Sequence, residues 1–443
     1  MFSIVNSKGI KLGILAFMLM CFLIPLSFVE SILYERQERS NEAIQEISAK
    51  WGGEKVIAGP FIVVPYQVQI KRAVDDAGKK FAIELVDKEA LILPDELLIK
   101  TNVSTNVRSR GIYDAVLYQS EIQMTGKFPD SSKILSIQNA HKIFWDKAFL
   151  SIYTSDNKGL LEELKISWNK KDIAFHPGSG STAFHSGIHT NAEINVFQTN
   201  SFQLALKMNG SQSLAFVPIG KSTKTQIFSN WADPSFFGSD LPLERSISEK
   251  GFSATWNSSY FSRNYSQVLV DGYEFVDKNV LESKYGVNFI IPLDHYRLIE
   301  RSLKYAILIL LSCFTVFFLI ETLNSLKLHP IQYLLMGAAM IIFYVLNLSL
   351  SEHIGFMLAY LISSLAISSL IGYYSGFILS SKAKGIQCAI YFCILFGFLF
   401  VILSAQDYAL LLGSIAIFAL LAFVMHATRK LDWSKSEVKQ AID

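Results

Sequence analysis

Long apolar runs, nearly free of charge, occupy the start and the last third of this 443-residue chain and leave one long polar stretch between them. They are Leu12–Phe28, Tyr305–Ile320, Ile331–Leu350, Phe356–Leu379, Ile386–Ser404 and Tyr408–Val424. Only Ala405-Gln406-Asp407 separates the last two. About 20 mostly apolar residues in a helix cross a hydrocarbon core of about 30 Å. At that depth every backbone N–H and C=O needs a partner within the segment, so each run is expected to be a helix. The expectation is therefore an α+β membrane protein with six transmembrane helices, one N-terminal and five C-terminal. A large β-rich, sandwich-like domain is inserted between the first helix and the second. The expected division is residues 1–29 for the tail and first helix, 30–300 for the inserted domain, 301–428 for a five-helix bundle and 429–443 for a basic tail.

Composition adds exclusions. Charged residues make up 18% of the chain, against about 25% in ordinary soluble domains, and the deficit lies in the C-terminal third. The net charge of +2 comes from scattered lysines and arginines. No basic stripe interleaved with aromatics points to nucleic acid, so no nucleic-acid partner is expected. Cys21, Cys313, Cys388 and Cys393 all fall in apolar runs. The polar stretch has no cysteine, which rules out a disulfide framework or a thiolate zinc site there.

The chain starts like a signal anchor, with Lys8 and Lys11 before an apolar core. No small-x-small cleavage site follows at Pro25–Glu30, so the segment is expected to be retained. Short loops on the inner side of a membrane carry the lysines and arginines. With the N-terminus inside, the inner loops hold Lys327, Lys382, Lys384, Arg429, Lys430, Lys435 and Lys439. The short outer loops, Ser351–Gly355 and Ser404–Asp407, hold none. Arg297, Arg301 and Lys304 flank the second span from outside, where a long translocated domain weakens the rule. Both termini are expected in the cytoplasm, and residues 30–300 across the membrane.

The polar stretch opens with Glu30–Lys50, whose Ile32, Leu33, Ile44 and Ile47 recur with partial helical period. It is expected to continue the first span as a helix ending at Trp51-Gly52-Gly53. Strand signals follow at Pro60–Tyr66, Tyr113–Phe128, Lys165–Trp168, Phe202–Leu206, Ser213–Val217 and Lys224–Phe228. In Tyr113–Phe128, the residues Val116, Tyr118, Ser120, Ile122 and Met124 share one face. Asn209-Gly210 reads as a hairpin turn.

Catalytic and cofactor signatures are sparse. Ala215–Ser222 ends like a phosphate-binding loop but lacks the first glycine, which favours a turn between strands. His176, His185 and His189 lie among glycines and serines, and the first carboxylate after them is Glu193. A loop suits them better than a zinc site. No nucleophile elbow or His-Glu-x-x-His motif occurs, and no enzyme activity and no cofactor are expected. Glu30, Glu321, Glu352, His353 and Asp407 sit at span ends, which argues against a proton path through the span centres. Asn347, Ser363, Ser364, Ser368 and Ser369 can bond between helices or to their own turns. The densest aromatic segment is Ser229–Trp256, read as a candidate interaction loop carrying Trp231, Pro234, Phe236, Arg245 and Trp256. A surface loop packed with aromatics that closes the sandwich is the competing reading.

A set of blocks resembles the CreD family of bacterial inner-membrane proteins. They are Pro25-Leu26-Ser27, Trp51-Gly52-Gly53, Gly59-Pro60, Arg110-Gly111-Ile112-Tyr113, Trp231 with Pro234-Ser235-Phe236, and Gly251-Phe252 with Trp256. The strongest runs from Phe318-Leu319 and Glu321 through His329-Pro330-Ile331-Gln332-Tyr333 to Leu350-Ser351-Glu352-His353. Ser239-Asp240 departs from the pattern, which has an aromatic beside Leu241. The resemblance implies an inner-membrane protein with a periplasmic domain, linked to envelope integrity, colicin tolerance and the response to β-lactams. It assigns no catalytic residue or cofactor. The expected partners are the lipid bilayer and an envelope protein or peptidoglycan. The alternative is a transporter or lipid-handling protein with a groove between the C-terminal helices.

Overall fold

A computed structural model describes residues 8–73, 81–130, 140–194, 198–270, 276–291, 295–323, 326, 328–405 and 408–429. Lys327, Asp407 and the basic residues from Lys430 onward lie outside the described residues. The chain divides into two compact units, one of residues 1–41 with 293–443 and one of residues 42–292.

The helices are α1 (Lys8–Trp51), α2 (His295–Lys304), α3 (Ala306–Leu323), α4 (Pro330–Ile354), α5 (Phe356–Ile378), α6 (Lys382–Ser404) and α7 (Ala409–Thr428). All except the short α2 are long and apolar enough to cross a membrane, giving six such helices among the described residues, as expected. Local chemistry explains their ends. His329 precedes Pro330, which stands at the first helical position of α4. The His329 ring accepts from the Ile331 amide and the Gln332 side chain accepts from the His329 amide, a reciprocal cap. Gly355, with φ of +77°, turns α4 directly into α5. α1 continues well past its apolar run and stops at Gly52, whose φ of +136° disfavours a side chain. Interfaces in membranes favour small residues, and α5 and α6 meet through Gly372, Gly385 and Ala389.

The other unit holds β1 (Lys55–Ala73), β2 (Phe81–Ile92), β3 (Glu96–Arg110), β4 (Tyr113–Phe128), β5 (Ala140–Ile143), β6 (Phe149–Thr154), β7 (Lys165–Trp168), β8 (Lys171–Ala174) and β9 (His176–Pro177). It continues with β10 (Ile188–Thr190), β11 (Asn200–Ser211), β12 (Ser213–Phe216), β13 (Ser222–Ser229), β14 (Pro234–Gly238), β15 (Glu244–Ser248), β16 (Gly251–Ser259), β17 (Val268–Leu269) and β18 (Tyr285–Phe289). One sheet runs β14-β18-β12-β1-β6-β10-β9, with β2 and β5 also paired to β1 and β17 paired to β2. The other runs β15-β16-β13-β3-β4-β11-β7-β8. Most pairs are antiparallel; β1–β12 and β3–β13 are parallel.

The inner faces of both sheets join one core, as in a sandwich. Phe61, Val63, Ile92, Leu214 and Val287 of the first sheet and Ile99, Ile122, Met124, Leu204 and Trp256 of the second belong to the same buried cluster. Burying each such side chain contributes about 1.5–3 kcal/mol. In β4 the expected face is the buried one: Val116, Tyr118, Ser120, Ile122 and Met124 are all inside.

One turn assignment is corrected. Asn209 and Gly210 lie within β11 and pair with Gln119 and Tyr118 of β4. The glycine is there for space, because a Cβ at Gly210 would meet the Tyr118 ring at 2.3 Å. The chain changes sheets two residues later, at Gln212 with φ of +61°.

Candidate functional site

The aromatic segment is not a loop. Its residues build edge strands of both sheets: β14 is the edge of the first and β15 the edge of the second. Trp256 is fully buried, stacks on Tyr285 with centroids 5.5 Å apart, and donates from Nε1 to the Asp240 carbonyl at 3.2 Å. Phe236 meets Phe252 and Trp256 edge-on at 5.6 Å each. Trp231 is half-buried and donates to the carbonyls of Asp233 and Ile290, both at 3.1 Å. Pro234 begins β14 opposite Phe289. These four hold the end of the sandwich together. Arg245 differs: it is exposed on β15, where all five residues are exposed. Leu241 and Leu243, just before β15, are 73% and 71% exposed. Sequence reasoning grouped the five residues by aromatic density, and the fold separates packing residues from the exposed edge.

Other chemistry-bearing side chains of this unit are mostly satisfied. Lys55 is fully buried, yet its Nζ donates to the carbonyls of Lys158 and Asp156 at 2.6 and 3.0 Å. Burial pulls its pKa below the ordinary lysine value, opposed by the Asp156 carboxylate. Glu89 accepts from the Ser181 hydroxyl and from the amide and hydroxyl of Thr182 at 2.6–3.0 Å, which fastens the glycine-rich connection to β2. His189 contacts the Gly178 carbonyl at 2.7 Å through Nδ1, and its ring lies 5.9 Å from that of His176 on the neighbouring strand. Among the described residues no group of three or more His, Cys, Asp or Glu is placed to hold a metal ion. The stretch that ends like a phosphate loop is a buried connection from β12 to β13, tied by the Gly220 amide donating to the Thr223 hydroxyl at 2.9 Å.

In the helical unit the carboxylates mark two levels. Glu321, at the end of α3, is 5% exposed. It is ion-paired with Lys11 of α1 and accepts from the Tyr333 hydroxyl at 2.8 Å and the Leu328 amide at 3.1 Å. Glu352, near the end of α4, accepts from the Tyr296 hydroxyl of α2 at 3.0 Å and stands 3.9 Å from Arg36 of α1. Lys11 and Arg36 are about 37 Å apart along α1 at 1.5 Å per residue. That interval exceeds the thickness of a hydrocarbon core, about 30 Å, and the two pairs fasten α1 to the bundle at its two ends. Sequence reading found these charges at span ends, but not that partners so distant in the chain meet.

Between those levels lies a different kind of polar group. Asn347 on α4 and Ser363 and Ser368 on α5 are fully buried, and their side-chain polar atoms have no hydrogen-bond partner. Ser364 instead bonds back to the Leu361 carbonyl at 3.0 Å, as the sequence allowed.

The profile of the family described as "Inner membrane protein CreD" matches residues 7–434, taking in both the spanning helices and the inserted β-rich unit. The chain belongs to the CreD family. The protein named "Inner membrane protein CreD" of Escherichia coli (strain K12) is 31% identical over 417 residues, 93% of this chain and 90% of that relative. As a CreD-family member it is an inner-membrane protein with several transmembrane helices. Within the CreD fold described above, Glu321 and Glu352 are polar anchors of α1, the β15 edge is exposed, and the Asn347 band is unpartnered.

Proposed function

We propose that this CreD-family protein maintains the cell envelope without catalysing a reaction, in stress that includes colicins and β-lactams. In this reading the β-rich unit lies in the periplasm, both termini lie in the cytoplasm, and the unit binds a lipid, peptidoglycan or protein partner. The observation that carries it is the family match along nearly the whole chain, which includes the inserted unit as well as the helices. Charge supports the orientation: Lys382, Lys384 and Arg429 flank the spans on one side, while Ser351–Gly355 on the other has no lysine or arginine. For partner contact, the exposed β15 with Leu241, Leu243 and Arg245 is favoured over the aromatics that pack at the sheet edges.

Deleting the gene tests the role. Altered sensitivity to detergents, colicins and β-lactams is expected, and unchanged sensitivity to all three removes the proposal. A photocrosslinking residue in place of Leu243 tests the surface in the same cells. An envelope component is expected to be captured there and not from a probe at Lys207, on an interior strand of the same sheet.

A further inference from the structure

The polar band inside the helical unit needs partners that the protein does not supply. Asn347 carries two donors and two acceptor sites on its amide, is fully buried, and has neither Nδ2 nor Oδ1 bonded. Leaving such a group dry in an apolar medium costs several kcal/mol. A serine in a helix can turn to its own carbonyls, as Ser351 does toward Leu348 at 2.8 Å. Asn347 has no such bond, and neither has Ser363.

The groups lie at one level. α4 and α5 form an antiparallel hairpin around Gly355. Asn347 and Ser363 each lie about 12 Å along their helices from that turn, at 1.5 Å per residue. α2 packs beside them, fixed by the bond from Tyr296 to Glu352. About 9 Å further along α2, Ser302 approaches Tyr344 of α4, and both are fully buried. Tyr344 and Asn347 are three residues apart and share one helix face. Fully buried polar groups from α2, α4 and α5 therefore fall within a narrow band of depth, and those of Asn347 and Ser363 are unpartnered.

We propose that water occupies this band, held chiefly by the Asn347 amide and the Ser363 hydroxyl, and makes a hydrated polar site inside the membrane. Water suits it because one molecule makes two to four hydrogen bonds to groups like these. The inference does not depend on the envelope role proposed above.

Radiolytic footprinting of the full chain in lipid discs tests it. A brief X-ray pulse makes hydroxyl radicals from bound water, and they oxidise the side chain beside it before they can diffuse. Tyr344, though fully buried, is expected to be oxidised several-fold faster than Phe317 and Phe392, which are 1% and 0% exposed in the same bundle. Oxidation of Tyr344 no faster than those two rings overturns the proposal. Asn347→Leu is expected to bring the Tyr344 rate down to theirs; an unchanged rate in a folded variant would remove Asn347 from the site. If that variant does not fold, the comparison of the three rings in the natural protein decides alone.

Discussion

Glu321 and Asn347 are both polar, both buried, and both in the helical unit, yet they are handled in opposite ways. Glu321 receives a lysine, a tyrosine hydroxyl and a backbone amide. Asn347 receives nothing from the protein. The first arrangement is a fastening: its parts come from α1, α3, α4 and the connection between the last two, and each needs the others. The second leaves donors and acceptors without a protein partner. Burial of a polar group is thus uninformative by itself, and the accounting of its hydrogen bonds separates a structural anchor from a site.

Removing one partner from each place breaks or sharpens that contrast. The largest effect is expected for Glu321→Leu, which strands Lys11 and Tyr333. Losing one member of a buried pair costs about 3–5 kcal/mol, read as unfolding stability in lipid discs. Adding Lys11→Met to that variant should recover most of the loss, because an apolar replacement of the whole pair is often neutral. A double variant as unstable as the single one would mean that the pair does not act as a unit. Next comes Gly372→Val at the contact of α5 with α6. A Cβ there meets the Ala389 Cβ at 2.5 Å and the Gly385 carbonyl at 2.9 Å, so overpacking of about 1–3 kcal/mol or more is expected. Asn347→Leu should change stability by less than about 1.5 kcal/mol, since replacing an unpaired polar group by an apolar one of similar shape is nearly neutral. A loss as large as that of Glu321→Leu would show that Asn347 has a protein partner and would erase the contrast.

The smallest effect is a pH dependence in the β-rich unit. Hydrogen bonds from Lys50 and then from Arg110 hold the exposed Glu46 carboxyl below the ordinary glutamate value. Its folded pKa is depressed, so its stabilisation is present above the unfolded value and is lost as pH falls through the folded one. The protection of amides in the last turns of α1, taken as exchange relative to the intrinsic rate at each pH, should fall slightly on acidification from about pH 7 to about pH 3. The same measurement on Glu46→Gln should lose that pH dependence.

The spanning helices were legible because hydrocarbon imposes one solution on an uncharged run. β4 was legible because Tyr118, Ser120, Ile122 and Met124 alternate with Gln119, Glu121 and Gln123 along a long strand. β3 alternates as well, but its outward Lys100, Asn102 and Ser104 have the composition of a loop, and it was missed. Asn209-Gly210 has the letters of a turn, while a ring far away in the sequence, that of Tyr118, decides its role. The aromatic segment was conspicuous because Trp256 is fully buried in the core and Phe236, half-buried, packs against it. Of the chosen residues, Arg245 alone projects from a fully exposed strand. The pairing of Lys11 with Glu321 could not be read, since nothing local links residues at opposite ends of the chain.

Cysteine labelling most directly tests the central claim, that the β-rich unit faces the periplasm while both termini stay inside. Phe261 is 93% exposed in that unit, and Lys382 opens α6 on the side assigned to the cytoplasm. In cells with a permeable outer membrane, a membrane-impermeant maleimide is predicted to label Phe261→Cys at once and Lys382→Cys only after the inner membrane is broken. Labelling of Lys382→Cys in intact cells, with Phe261→Cys protected until lysis, would contradict it.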